Sequence, residues 1–144
     1  MELADLFIAT IKELGDLDDM VSPTSLMPGM ADSEIDLLML CNLESILTGN
    51  EWESVFDRDY GCPLREDGPD GPWIYQVSKN LLDSLQCLSP EAILECARVW
   101  SDYDEWTLRA DACIESIAEL ISSLAALAKQ ALTEGKQVYI WTRP

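Results

Sequence analysis

The stretch "CIESIAELISSLAALAKQALTEG", residues 113–135, limits the possible folds more than any other part of the chain. Ile114, Ile117, Ile121, Leu124 and Ala128 fall on one helical line, Leu120, Leu127 and Ala131 flank it, and Gly135 supplies a stop. At about 1.5 Å per residue, a helix over 111–134 extends roughly 36 Å. That length crosses a whole domain, so the rest of the chain has to pack against it.

Most of the remainder also reads as helical. Near the start, Leu3, Phe7, Ile11 and Leu14 form a helical stripe that ends close to Gly15. The segment "GDLDDMVSPTSLMPGMADSE" has no sustained period and reads as a long connection. A second helix follows over "EIDLLMLCNLESILTG", with Asp32 or Ser33 as its cap and Gly49 as a left-handed terminator. Its apolar residues cover more than one stripe, which predicts a central position. Trp52, Phe56 and Tyr60 then step by four along a short helix, and "CPLREDGPDGP" is dense in turn signals.

Pro72 opens a helix in which Trp73, Val77, Leu81 and Leu85 again step by four, and Ser89 with Pro90 restarts another. After Gly135, "QVYIW" is extended: it either pairs with another extended segment, such as one near residues 20–28, or is not a regular strand. The expectation is an all-α fold, a compact bundle of about six helices around the long C-terminal one, with a short extended tail packed on the body. Halves divided at the 61–72 turn cluster would each be too small to bury a core, so residues 1–144 read as a single acidic domain.

Function is bounded mainly by charge and by missing chemistry. The formal net charge is -18, and residues 1–71 hold 17 acidic residues against Lys12, Arg58 and Arg65. Such a field repels phosphate backbones and anionic lipid heads, which argues against nucleic acid and membrane as partners and favours a basic protein. No run approaches a membrane span and the first residues lack the features of a signal peptide, so a cytoplasmic location is expected. The five cysteines are odd in number and irregularly spaced, which suits reduced thiols.

The chain contains no histidine, which removes the usual general base near neutral pH and the commonest metal ligand. No CxxC pair is present for zinc. The calcium-loop rule fails from Asp57, because glycine falls at position 5 and Gly68 at position 12. No glycine-rich phosphate loop occurs. No cofactor or metal is therefore expected, and catalysis is not the favoured reading.

Interaction surfaces offer more. In "EWESVFDRDYGCPLREDGPDGPW", Trp52, Phe56, Tyr60 and Trp73 lie among Glu51, Glu53, Asp57, Asp59, Glu66, Asp67 and Asp70. Aromatic anchors within an acidic rim suit the capture of a basic protein. A second such run, "WSDYDEW", sets Asp102, Asp104 and Glu105 among Trp100, Tyr103 and Trp106. For both runs the competing expectation is that the aromatics are core and only the acids are exposed.

The ending "LAALAKQALTEGKQVYIW" resembles the ends of small acidic uncharacterised bacterial proteins, a resemblance that brings no catalytic residues to this chain. The leading expectation is a small acidic cytosolic module that neutralises or regulates a basic protein, as an immunity-type inhibitor does. The alternatives are a ligand-binding protein or enzyme with a pocket between helices, using buried carboxylates or Cys96, and a homodimeric structural protein without catalytic function.

Overall fold

The computed structural model describes residues 3–15, 23–25, 27–33, 35–60, 63–66, 73–109 and 112–143. Its architecture is mixed α and β, which corrects the all-α expectation. Strands β1 (Leu3–Ala9), β2 (Gly29–Ser33), β3 (Arg65–Glu66), β4 (Trp73–Gln76) and β5 (Gln137–Arg143) form one sheet in the order β2-β1-β5-β4-β3. Every pairing among these strands is antiparallel. The helices are α1 (Ile11–Gly15), α2 (Leu37–Thr48), α3 (Trp52–Asp59), α4 (Lys79–Gln86), α5 (Pro90–Trp100), α6 (Asp104–Thr107) and α7 (Ile114–Glu134).

The first part of the N-terminal stripe, Leu3–Ala9, is a strand because it is buried on both faces, while Ile11 and Leu14 lie in α1, which ends at Gly15 as expected. Ala4, Leu6 and Ile8 point into the main core with Val138 and Ile140, whereas Phe7 and Ala9 join Ile74, Tyr139 and Trp141 on the opposite face. A strand apolar on both sides shows no alternation, so Leu3, Phe7, Ile11 and Leu14 mimic a helical period. Helix formation begins only at Thr10, where a reciprocal cap forms: Thr10 N donates to Glu13 Oε1 at 3.0 Å, and Glu13 N donates to Thr10 Oγ1 at 3.1 Å.

The C-terminal run is the middle strand of the sheet rather than a tail laid on a bundle. Its partners are β1, with Leu6 opposite Ile140, and β4, with Ile74 opposite Trp141, rather than the described residues 23–25, 27 and 28 of the 20–28 segment. Gly135 ends α7 in the left-handed region, φ 66° and ψ 32°, and the chain turns directly into β5. The region opened by Pro72 is likewise not one helix: β4 comes first, and Ser78 caps α4.

The long helix is present as 21 residues, roughly 30 Å at the usual rise. It packs against α4, α5, β1 and β5. Ile117, Ile121, Leu124, Ala128 and Ala131 meet Leu81, Leu85, Ala97 and Trp100 in the main core, which covers one face of the sheet. Leu14 and Met27 pack on the other face, and the buried Asp5 accepts a hydrogen bond from Thr24 Oγ1 at 2.9 Å. At Gly29 the β1–β2 approach admits no side chain, since a Cβ there would lie 2.0 Å from the Leu6 carbonyl oxygen.

Candidate functional site

Helix α2 is fixed at both ends. Asp36, rather than Asp32 or Ser33, is its N-cap and accepts from Met39 N at 2.8 Å, while Gly49 closes it at φ 81°. Met39, Leu40 and Leu43 turn inward, and Leu38 and Asn42, one turn apart, face outward. Immediately after the α2–α3 connection comes Trp52. It is 43 % exposed, as is Leu38.

Of the other aromatics of the first candidate run, Trp73 is half-buried on β4, and Phe56 and Tyr60 are committed to packing. Tyr60 is buried, and its hydroxyl accepts from Ser78 N at 3.0 Å. Phe56 meets Tyr60 edge-on at 6.4 Å between ring centroids, and Tyr60 meets Tyr75 at 6.3 Å. Glu51, Glu53 and Asp57 are exposed around Trp52. The side chains of Asp59 and Glu66, and all of Asp67 and Asp70, lie outside the described residues.

The second run divides in a similar way. Trp100 and Trp106 are buried and stack edge-to-face at 5.1 Å, and the Arg109 guanidinium lies 4.8 Å from the Trp106 ring centroid. Asp102 and Asp104 are exposed, and Tyr103 and Glu105 are half-buried. The Glu105 carboxylate is held from two sides, with Trp100 Nε1 donating to Oε1 and Asn42 Nδ2 donating to Oε2 at 2.7 Å. Burial raises its pKa above the ordinary carboxylate value. The two hydrogen bonds oppose that shift, Asp36 adds to it and Arg109 counters it.

These two runs, far apart in sequence, meet. Leu38, Asn42, Trp52, Tyr103, Asp104 and Glu105 line one open groove of about 360 Å³. Trp52 is the one described residue of the first run among its lining residues; Glu51, Glu53, Phe56, Asp57, Tyr60 and Asp102 are not among them. Leu38, Asn42 and Arg109 were not singled out by sequence reasoning. The available signal was Asn42, a polar residue breaking the apolar run of α2 one turn after Leu38.

Two further depressions bear on the alternative of a pocket between helices. One, of about 280 Å³, is lined by Ile46, Leu47, Leu88, Ala92, Cys96 and Val99 among others. Burial pushes the Cys96 thiol up to about 11, so it is not an activated nucleophile near neutral pH. The other, of about 230 Å³, lies between α4 and the end of α7, with Lys79, Asp83 and Lys136 at its rim. The buried carboxylate of Glu44 is paired with Arg58 Nη2 at 2.8 Å, and that of Asp5 is hydrogen-bonded to Thr24. Among the described residues no group of three or more Cys, Asp or Glu could hold a metal ion, and no helix is long and apolar enough to cross a membrane.

No family model, curated protein or solved structure matches the chain. The site geometry is therefore the basis for a functional reading.

Proposed function

We infer that the chain is a small acidic protein-binding module that neutralises or regulates a basic protein in the cytoplasm, in the manner of an immunity-type inhibitor. The observation that carries this reading is the convergence of Trp52 with Tyr103, Asp104 and Glu105 in one groove, on a chain of net charge -18. A half-exposed indole beside carboxylates combines an apolar anchor with charge complementarity, the pairing found at the centre of tight interfaces. The same charge turns phosphate backbones away, which favours a protein over a nucleic acid as partner.

The immobilised protein should capture a basic protein at low ionic strength from cells that carry it. The association rate should fall steeply as salt rises, and a W52A/D104N variant should lose the capture. Capture indifferent to both salt and groove would count against the reading.

A second reading, a small ligand in the same groove, is favoured by its concave shape, with half-buried Tyr103 and Glu105 beside Trp52 and Leu38. It is the weaker reading for catalysis, because both Glu105 oxygens already accept hydrogen bonds and the chain has no histidine to act as a second titrating group. A metabolite library that raises the melting temperature of the wild type but not of E105Q would support it over the first.

A further inference from the structure

We propose that the groove between α2, α3 and α6 is a seat for an arginine side chain of the partner, a refinement that rests on the basic-partner reading above. Its walls are apolar and aromatic, formed by Leu38, Trp52 and Tyr103, and its polar edge carries Asp104 and Glu105. A guanidinium suits this combination better than an ammonium. It is planar and weakly hydrated, so it stacks on an indole or phenol face while its fork of N–H groups pairs with a carboxylate. Lysine presents a compact, strongly hydrated charge that gains less from the aromatic walls.

The two carboxylates have different tasks. Both oxygens of Glu105 already accept from Trp100 and Asn42, which fixes its charge in place. Asp104 is exposed, on the first residue of α6, and is the carboxylate open to a bidentate partner. Asp36, whose charge is felt at Glu105, adds to the negative field on this side. The same short helix already handles an arginine on its inner side, where Arg109 lies over Trp106 and its Nη2 approaches Met39 Sδ at 3.8 Å. The outer side offers the corresponding components, an indole and carboxylates, to an arginine from outside. Charge complementarity and the half-exposed indole together select this occupant over an apolar helix, which would leave Asp104 facing hydrocarbon.

The test is a nuclear magnetic resonance titration of the full chain at low ionic strength with hexaarginine, hexalysine and hexacitrulline peptides. Hexaarginine should shift the Trp52 indole and Asn42 side-chain amide resonances saturably, hexalysine should bind at least several-fold more weakly, and hexacitrulline should not bind. W52A and D104N should each weaken hexaarginine by about threefold to tenfold, the scale of one cation–π or exposed charge contact. E119Q, on the exposed face of α7, should leave it unchanged. D104N keeps the test valid if W52A perturbs the fold. Equal binding of the arginine and lysine peptides with Trp52 silent would overturn the arginine seat and leave the basic-partner reading standing. No binding of either cationic peptide would overturn both.

Discussion

Trp100 and Glu105 hold one another across the turn between α5 and α6: the buried indole N–H has its acceptor in Glu105 Oε1, and Asn42 engages the other oxygen from α2. The groove's acidic edge is therefore tied to the core through an indole. E105A leaves the Trp100 N–H without an acceptor in the interior, which costs about 1–3 kcal/mol. Urea unfolding should show that loss, and E105Q, which retains one acceptor oxygen, should fall between E105A and the wild type. A change in E105A below about 0.5 kcal/mol, the range of an ordinary surface substitution, would show that the pair is not structural.

The pH dependence of stability follows from the same carboxyl. Its folded-state pKa is raised, chiefly by burial, so between the ordinary carboxylate value and the raised one the folded chain binds more protons than the unfolded chain. This group's contribution to stability is then greatest below the ordinary value and declines as pH rises through the raised one. The general repulsion of a chain at net charge -18 acts in the same direction, so the measurement is the difference between wild type and E105Q across that window. The wild type should lose stability relative to E105Q as pH rises; parallel curves would contradict the assigned shift.

Glu44 and Arg58 give a third prediction. The Glu44 side chain is fully buried, while that of Arg58 is 43 % exposed, so the pair lies at the boundary of the core. Removing the arginine leaves a carboxylate inside with its counter-charge gone. R58A should cost roughly 2–4 kcal/mol, at or below the range for a broken buried pair because Arg58 is partly solvated. The double variant E44M/R58M should recover much of that loss, since an apolar pair requires no desolvation of charge. If R58A and the double variant are equally destabilised, the effect is lost packing rather than an orphaned charge.

Helix boundaries were legible where a residue type is required by its backbone or cap. Gly49 and Gly135 end α2 and α7 in the left-handed region, and Ser89 with Pro90 starts α5, with Ala92 N donating to Ser89 Oγ at 3.2 Å. The strands were obscured by their own burial. β1 carries apolar residues on both faces, and Trp73, Val77, Leu81 and Leu85 keep a spacing of four across the junction of β4 and α4. Two caps held the correct boundaries, Thr10 with Glu13 before α1 and Ser78 before α4.

The candidate site was legible as composition but not as arrangement. Trp52 and the 103–105 run stood out as aromatics among acids, yet nothing local distinguishes exposed Trp52 from buried Tyr60 or Trp106. That difference depends on how α3 lies against α2 and how α6 folds back onto it, contacts between residues about fifty positions apart. Asn42, which bridges them through Glu105, had no signal beyond its polarity.

The final prediction concerns truncation after Gly135. On the sequence alone, residues 137–141 read as a short extended tail packed on the body. As the central strand, β5 has a larger role. Val138, Tyr139, Ile140 and Trp141 are all buried, on both faces of the sheet. At about 1.5–3 kcal/mol for each large apolar side chain, their burial matches the ~5–15 kcal/mol that holds a whole domain together. Truncation also strips the hydrogen-bonding partners from facing edges of β1 and β4, which are joined in the sheet through β5. The truncated chain should lose cooperative unfolding altogether, seen as a collapsed amide proton dispersion and a featureless thermal melt, while isolated helical content persists by circular dichroism. A sharp transition within several degrees of the parent would mean that β1 and β4 close the sheet without β5, and the central position of the strand would have to be abandoned.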